Sequence, residues 1–186
     1  MITKIISGGQ TGADRGGLDA AIHCDLLHGG WCPRGRKAED GVIPLKYHLT
    51  ETSSAAYLPR TKTNVVDSDA TIIFTYGPLS GGSLKTMTYA RHLEKPYHEV
   101  DLSRTRHKKA VVEIMRWLAG DKGLNDYDGY VAYPPLACIL NVAGSRETHA
   151  PGIQDAVFRL MVDVLRKVNL TSKHFHWLRK SRRVKC

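Results

Sequence analysis

The opening of the chain constrains its fold more than any other stretch. An apolar run, Ile2 to Ile6, breaks into Ser7-Gly8-Gly9-Gln10-Thr11-Gly12-Ala13-Asp14-Arg15-Gly16-Gly17 and resumes as Leu18-Asp19-Ala20-Ala21-Ile22. This pattern reads as a strand, a glycine loop and a helix. A strand that feeds a helix through glycines aims backbone N–H groups and the positive end of the helix dipole at one spot, where an anion is stabilised. The first expectation is therefore a phosphate-bearing ligand at Gly8, Gly9, Gln10, Thr11 and Gly12. Asp14 is placed to cap the helix or to bond a ligand hydroxyl. The spacing is neither the dinucleotide fingerprint G-x-G-x-x-G nor the P-loop G-x-x-x-x-G-K-[ST], because no Lys-Ser/Thr pair follows the last glycine. ATP hydrolysis of the P-loop type is disfavoured.

The same alternation recurs downstream. Ala70 to Thr75 is a β-rich run that ends in Tyr76-Gly77-Pro78-Leu79-Ser80-Gly81-Gly82-Ser83, and Leu84 to Leu93 reads as a helix stopped before Pro96. Tyr97 to Leu102 reads as a strand. Val111, Ile114, Met115 and Leu118 then follow at i, i+3, i+4 and i+7, the stripe of an amphipathic helix. Leu136 to Val142 is a further apolar run that breaks at Ala143-Gly144-Ser145-Arg146-Glu147-Thr148-His149, after which Pro151 opens a long periodic helix. Strands alternating with helices predict an α/β, Rossmann-like fold, a mostly parallel sheet with helices on both faces. In such sheets ligands bind beyond the carboxyl ends of the strands. The loops at 7–17, 76–83 and 143–149 are expected to share that edge. Cys32 to Tyr57 and Gly120 to Pro135 lack periodicity and read as functional loops or surface connections.

The second and third loops repeat the chemistry of the first. Ser80, Gly81, Gly82 and Ser83 supply hydroxyls and glycines at a helix start, with Thr86 one turn in. Asn141, Gly144 and Arg146 belong to the third, where Arg146 can clamp a phosphate or carboxylate, or pair with surface acids. Arg34, in the basic turn Pro33-Arg34-Gly35-Arg36-Lys37, is a candidate guard of the site's mouth. Asp14, Asp40, Glu51 and Glu147 are the candidates for general acid or base work, though no convincing dyad stands out. The nine histidines show no metal-ligand spacing, so no protein metal site is expected.

Length and charge narrow the classes. With 186 residues and 42% apolar content the chain suits one domain, taken as residues 1–168, followed by a basic tail over 169–186. The tail carries six of the nine net positive charges and no acid, leaving +3 elsewhere. Four scattered cysteines, no apolar stretch long enough for a bilayer and no charged-then-apolar leader predict a soluble cytoplasmic protein with reduced thiols and no membrane contact.

Four multi-residue runs carry a family resemblance. They are Ser7 to Gly16, Gly29-Gly30-Trp31-Cys32-Pro33-Arg34-Gly35-Arg36, the group Arg60-Thr61, Asn64-Val65 and Ser68-Asp69-Ala70-Thr71, and Leu140-Asn141-Val142-Ala143-Gly144. Over roughly residues 2–165 the chain resembles the molybdenum cofactor carrier family. That family is similar to a wider Rossmann-like group that includes the lysine-decarboxylase-like phosphoribohydrolases and a DNA-processing protein. The resemblance implies a pterin-phosphate or nucleotide-like ligand at the strand edge, and a homodimer. The phosphoribohydrolase loop Pro-Gly-Gly-x-Gly-Thr-x-x-Glu is not reproduced. Lys85, Thr86, Met87 and Thr88 stand near where its glutamate would fall.

The leading expectation is a binding or carrier protein for a phosphorylated small molecule, either molybdenum cofactor or a nucleotide. The alternatives are an enzyme that processes a nucleotide and a nucleic-acid-binding module that uses the basic tail.

Overall fold

The computed structural model describes the backbone of residues 1–120 and 138–182, and the side chains through residue 168. In chain order the elements are β1 (Lys4–Ile6), α1 (Ala13–His23), β2 (Leu27–Gly29), β3 (Trp31–Cys32), β4 (Lys37–Ala38), β5 (Gly41–Val42) and β6 (Thr50–Glu51). They continue with α2 (Tyr57–Val66), β7 (Ala70–Thr75), α3 (Gly81–His92), β8 (Tyr97–Asp101), α4 (His107–Leu118), β9 (Ile139–Gly144) and α5 (Ile153–Arg182).

Five strands form the central sheet in the order β2-β1-β9-β7-β8, and every pairing in it is parallel. The expected α/β Rossmann-like architecture is the one observed. The two central strands β7 and β9 bury almost their whole length, which is why they read as continuous apolar runs rather than alternating ones. Side chains of α1, α4 and α5 join those of the strands in one apolar core that includes Ile5, Phe74, Leu140, Ile114, Leu160 and Leu165. Helix α2 packs on α3, and α3 packs on β7 and β9.

The segment from Cys32 to Tyr57, unreadable by periodicity, is ordered by a small core of its own. Leu18 of α1, Cys32, Ala38, Ile43 and Tyr47 are buried together. Arg36 fastens it by donating to the carbonyl oxygens of Ile43, Pro44, Tyr47 and Leu49 at 2.9–3.2 Å. Short strands suffice here because one half-buried guanidinium satisfies four carbonyls that a ladder would otherwise hold.

Two expectations shift in extent. Helix α3 begins at Gly81 rather than Leu84, and α5 runs without a break from Ile153 to Arg182, across the boundary expected at 168/169. The irregular insert read over Gly120 to Pro135 lies, past its first residue, outside the described residues, as do the side chains of the basic tail. Among the described residues no helix is long and apolar enough to cross a membrane.

Candidate functional site

Strands β1, β9 and β7 are neighbours, and all three run the same way, so their carboxyl ends lie side by side. The loops that leave them meet there, with α2 alongside, around a cleft of about 330 Å³. The first loop contributes Gln10 and Asp14, the second Ser80 to Ser83 with Thr86, and the third Ala143 to Arg146 with His149. Tyr57, Leu58, Arg60 and Thr61 of α2 complete the wall.

The start of α3 forms the open side of this cleft. Ser80 donates its N–H to Ser83 Oγ at 3.1 Å, and the Ser83 hydroxyl donates back to the Ser80 carbonyl at 2.7 Å, fixing the first turn. A methyl at Gly81 or Gly82 would meet nothing within 4 Å. A ligand can therefore approach the backbone at the positive end of the helix dipole. Asp101 holds the loop before it by accepting from the Gly77 N–H at 2.8 Å and from Ser103, hydrogen bonds that keep its carboxyl below the usual carboxylate range despite burial.

The start of α1 is different, because the protein itself occupies it. Gln10 N–H donates to Asp14 Oδ2 at 3.2 Å, Thr11 N–H to Gln10 Oε1 at 3.0 Å, and Ala13 N–H to the Ser145 carbonyl at 3.1 Å. The glycines of this loop serve close approach by other parts of the chain. At Gly12, with φ +81°, a Cβ would stand 2.4 Å from the Ser145 carbonyl oxygen; at Gly8 it would stand 1.4 Å from Arg60 Nη1. Glycine at these two places lets the third loop and the Arg60 guanidinium lie directly on the first loop.

Arg60 enters the site through that contact. Its Nη1 donates to Asp14 Oδ2 at 2.9 Å, and the two side chains are only 12% and 5% exposed. Gln10 is 3% exposed and its Nε2, like Arg60 Nε, is enclosed with no hydrogen-bond partner. Buried donors left without acceptors are costly, and two of them stand at this cleft, which makes it the candidate place for a group that accepts from them.

The third loop is held by Glu39. Its carboxylate accepts from the Thr11 hydroxyl, from Thr148 N–H at 3.3 Å and from the Thr148 hydroxyl at 2.7 Å, and lies 4.0 Å from Arg146 Nη1. Burial alone would raise its pKa. The Thr11 and Thr148 donors and Arg146 outweigh burial and hold it below the ordinary value. Arg146 also lies over the Tyr57 ring, 4.8 Å from its centroid, so the guanidinium is braced on two sides while facing the cleft.

Of the residues expected from sequence, Gln10, Asp14, Ser80, Gly81, Gly82, Ser83, Thr86, Gly144 and Arg146 line the cleft. Gly8, Gly9, Thr11 and Gly12 stand behind it within the first loop, and Asn141 donates to Thr71 Oγ1 inside the sheet. Arg34 is exposed and binds Ser54 through its backbone, away from the cleft. Among the four carboxylates considered for acid–base work only Asp14 reaches the cleft. Asp40 is engaged by a bidentate Arg15 at 2.6 and 2.7 Å, Glu51 accepts from Gly35 N–H, and Glu147 accepts from Gly152 and Gln154 N–H at the start of α5. Reading by residue type missed Arg60, Tyr57, Leu58, Thr61 and His149 as site residues.

An α/β Rossmann-like fold with a central parallel sheet is the class to which the comparisons also lead. Residues 5–165 match the model of the circularly permutated YpsA SLOG family, and the chain belongs to that family. A crystal structure from Syntrophus aciditrophicus SB, of a protein named "putative molybdenum carrier protein", is similar to it. The two share 40% identity over 88% of this chain and 94% of that one, with a TM-score of 0.77. The resemblance drawn from the sequence runs is thereby borne out. A comparison with curated proteins finds no match.

Proposed function

We propose that the protein binds a phosphorylated small molecule in this cleft and acts as its carrier, with molybdenum cofactor the leading candidate and a nucleotide the alternative. The observation that carries the reading is the pairing of an open helix start, Ser80 to Ser83, with the cation Arg146 and the unpartnered Gln10 Nε2 around one cleft. The phosphate lies at the α3 start, against the backbone of Gly81 and Gly82, whose first turn is fixed from beneath by the Ser83 and Thr86 hydroxyls donating to the Ser80 and Gly82 carbonyls. The remainder of the ligand extends along Tyr57 and Leu58 toward Gln10. The name of the similar Syntrophus protein supports molybdenum cofactor, an anionic pterin phosphate, over other phosphorylated ligands.

A nucleotide-processing enzyme is the second reading, favoured by Asp14, a buried carboxylate at the cleft. The Arg60 guanidinium and the Gln10 N–H both occupy its Oδ2, so only Oδ1 is left to meet a substrate. Native mass spectrometry of the full chain, produced in a host that makes molybdenum cofactor, together with calorimetry against a pterin phosphate, tests the proposal. A retained pterin mass and saturable heat are expected. Neither a retained mass nor measurable affinity for pterin phosphate or nucleotides would overturn it. Chromatography of a nucleotide panel incubated with the protein separates carrier from enzyme, a new product favouring the enzyme.

A further inference from the structure

One part of the cleft wall, formed by Gln10, Asp14 and Arg60, is built to read one chemical edge. Gln10 Oε1 accepts from two backbone donors, Thr11 N–H at 3.0 Å and Glu39 N–H at 2.9 Å. This fixes the orientation of the amide, so that the unpartnered atom is a donor, Nε2. Arg60 adds a second unpartnered donor, Nε, and is held by a single hydrogen bond, to Asp14. The Asp14 bonds from Gln10 N–H and Arg60 both fall on Oδ2, leaving Oδ1 to accept. The Arg60 and Asp14 charges cancel, so this part of the wall calls for a neutral acceptor rather than a second anion.

We infer that the ligand carries an oxo-bearing nitrogen heterocycle whose C=O meets Gln10 Nε2 and Arg60 Nε while the adjoining ring N–H meets Asp14. The inference rests on the cleft being the phosphate-ligand site proposed above. A carbonyl oxygen has two lone pairs and can take both donors. An amino group at the same ring position offers hydrogens where the protein already offers hydrogens, and leaves both donors unpaired. Both atoms are enclosed within residues that line the cleft, and a ligand reaches them by displacing the Arg60 guanidinium, which is held by one hydrogen bond to Asp14. The selected class is the keto-purines and oxopterins, discriminated from amino-purines.

Inosine and adenosine 5′-monophosphates differ only at this edge and are the probes, with ribose 5-phosphate reporting the phosphate end alone. Calorimetry on the full chain is expected to show the inosine nucleotide binding at least about tenfold more tightly than the adenosine one, from the donors otherwise left unpaired. Gln10→Glu keeps an oxygen for Thr11 and Glu39 but removes the donor. Arg60→Lys keeps the charge beside Asp14 but lacks Nε. Each is expected to reduce the preference to within about threefold, in protein whose circular dichroism matches wild type. Equal affinity for the two nucleotides, tighter adenosine binding, or an inosine nucleotide no better than ribose 5-phosphate overturns the inference. A preference that survives both substitutions also overturns it. With ribose 5-phosphate still bound, those results leave the phosphate-ligand reading standing; the reading itself falls only if pterin phosphate fails to bind as well.

Discussion

Replacing Arg60 by Met tests whether the site is organised around a buried ion pair. Arg60→Met keeps most of the length and apolar stem of the side chain but removes the guanidinium. Asp14, whose side chain is 5% exposed, then retains only the Gln10 N–H as a donor. Breaking a buried pair by removing one partner costs about 3–5 kcal/mol, because the remaining charge stays in a low-dielectric site. The pair here is joined by one hydrogen bond of 2.9 Å rather than a bidentate fork, which places the expected loss near 3 kcal/mol. For a chain of this size that corresponds to a fall in Tm of about 6–12 °C. Urea unfolding followed by circular dichroism measures it directly. The double variant Asp14→Asn/Arg60→Met removes both charges and is expected to recover at least about half of the loss. A single-variant loss under about 1 kcal/mol, or a double variant whose loss is the sum of the two single losses, would refute the claim that these charges are coupled in the folded protein.

Gly12→Ala forces a side chain into a φ of +81° and 2.4 Å from the Ser145 carbonyl, so a loss of at least about 2 kcal/mol is expected in the same urea assay. A neutral result would show that the first and third loops do not need this approach. Glu39, with a folded pKa held below its ordinary 4.5, contributes stability that is complete above that value and is lost as pH falls through the folded pKa. Glu39→Gln is therefore expected to flatten the acid limb of the stability curve below pH 4.5, read from Tm against pH. An acid limb as steep as wild type would count against the role given to Glu39.

The parts of this architecture that the chain announces are those where local chemistry and tertiary role coincide. Ala70 to Thr75 is rich in apolar and β-branched residues because β7 is buried on both faces, and the breaks after β1, β7 and β9 are visible because turns at strand ends favour Gly, Ser and Pro. Helix α2 escaped pattern reading for an equally physical reason. Only Thr61, Asn64 and Val65 of its ten residues are buried, so it has no apolar stripe, and Pro59 in its first turn resembles a breaker although that position tolerates proline. Arg60 was consequently unplaced except as part of a family-like run.

The glycines of the first loop illustrate a deeper ambiguity. Sequence shows that a backbone must be approached closely at Gly8 and Gly12, but not by what. Here the visitors are Arg60 and the third loop, whereas Gly81 and Gly82, less conspicuous in the chain, face open space. Glu39 and Gln10 illustrate another. Neither belongs to a recognisable motif as a pair, and only folding shows that Gln10 Oε1 bridges two backbone N–H groups and thereby exposes the need for an acceptor at Nε2.

The central claim, that a phosphate is held at the start of α3, is tested most directly by titrating a pterin phosphate into wild-type protein and into Gly82→Asp by calorimetry. Nothing lies within 4 Å of a Cβ at Gly82, and a carboxylate in the first turn of a helix favours the helix by about 0.3–1 kcal/mol. The variant is expected to be as stable as wild type or slightly more so, yet to bind at least about tenfold more weakly because its carboxylate takes the place of the ligand's charge. Undiminished affinity in a folded Gly82→Asp protein would contradict the account.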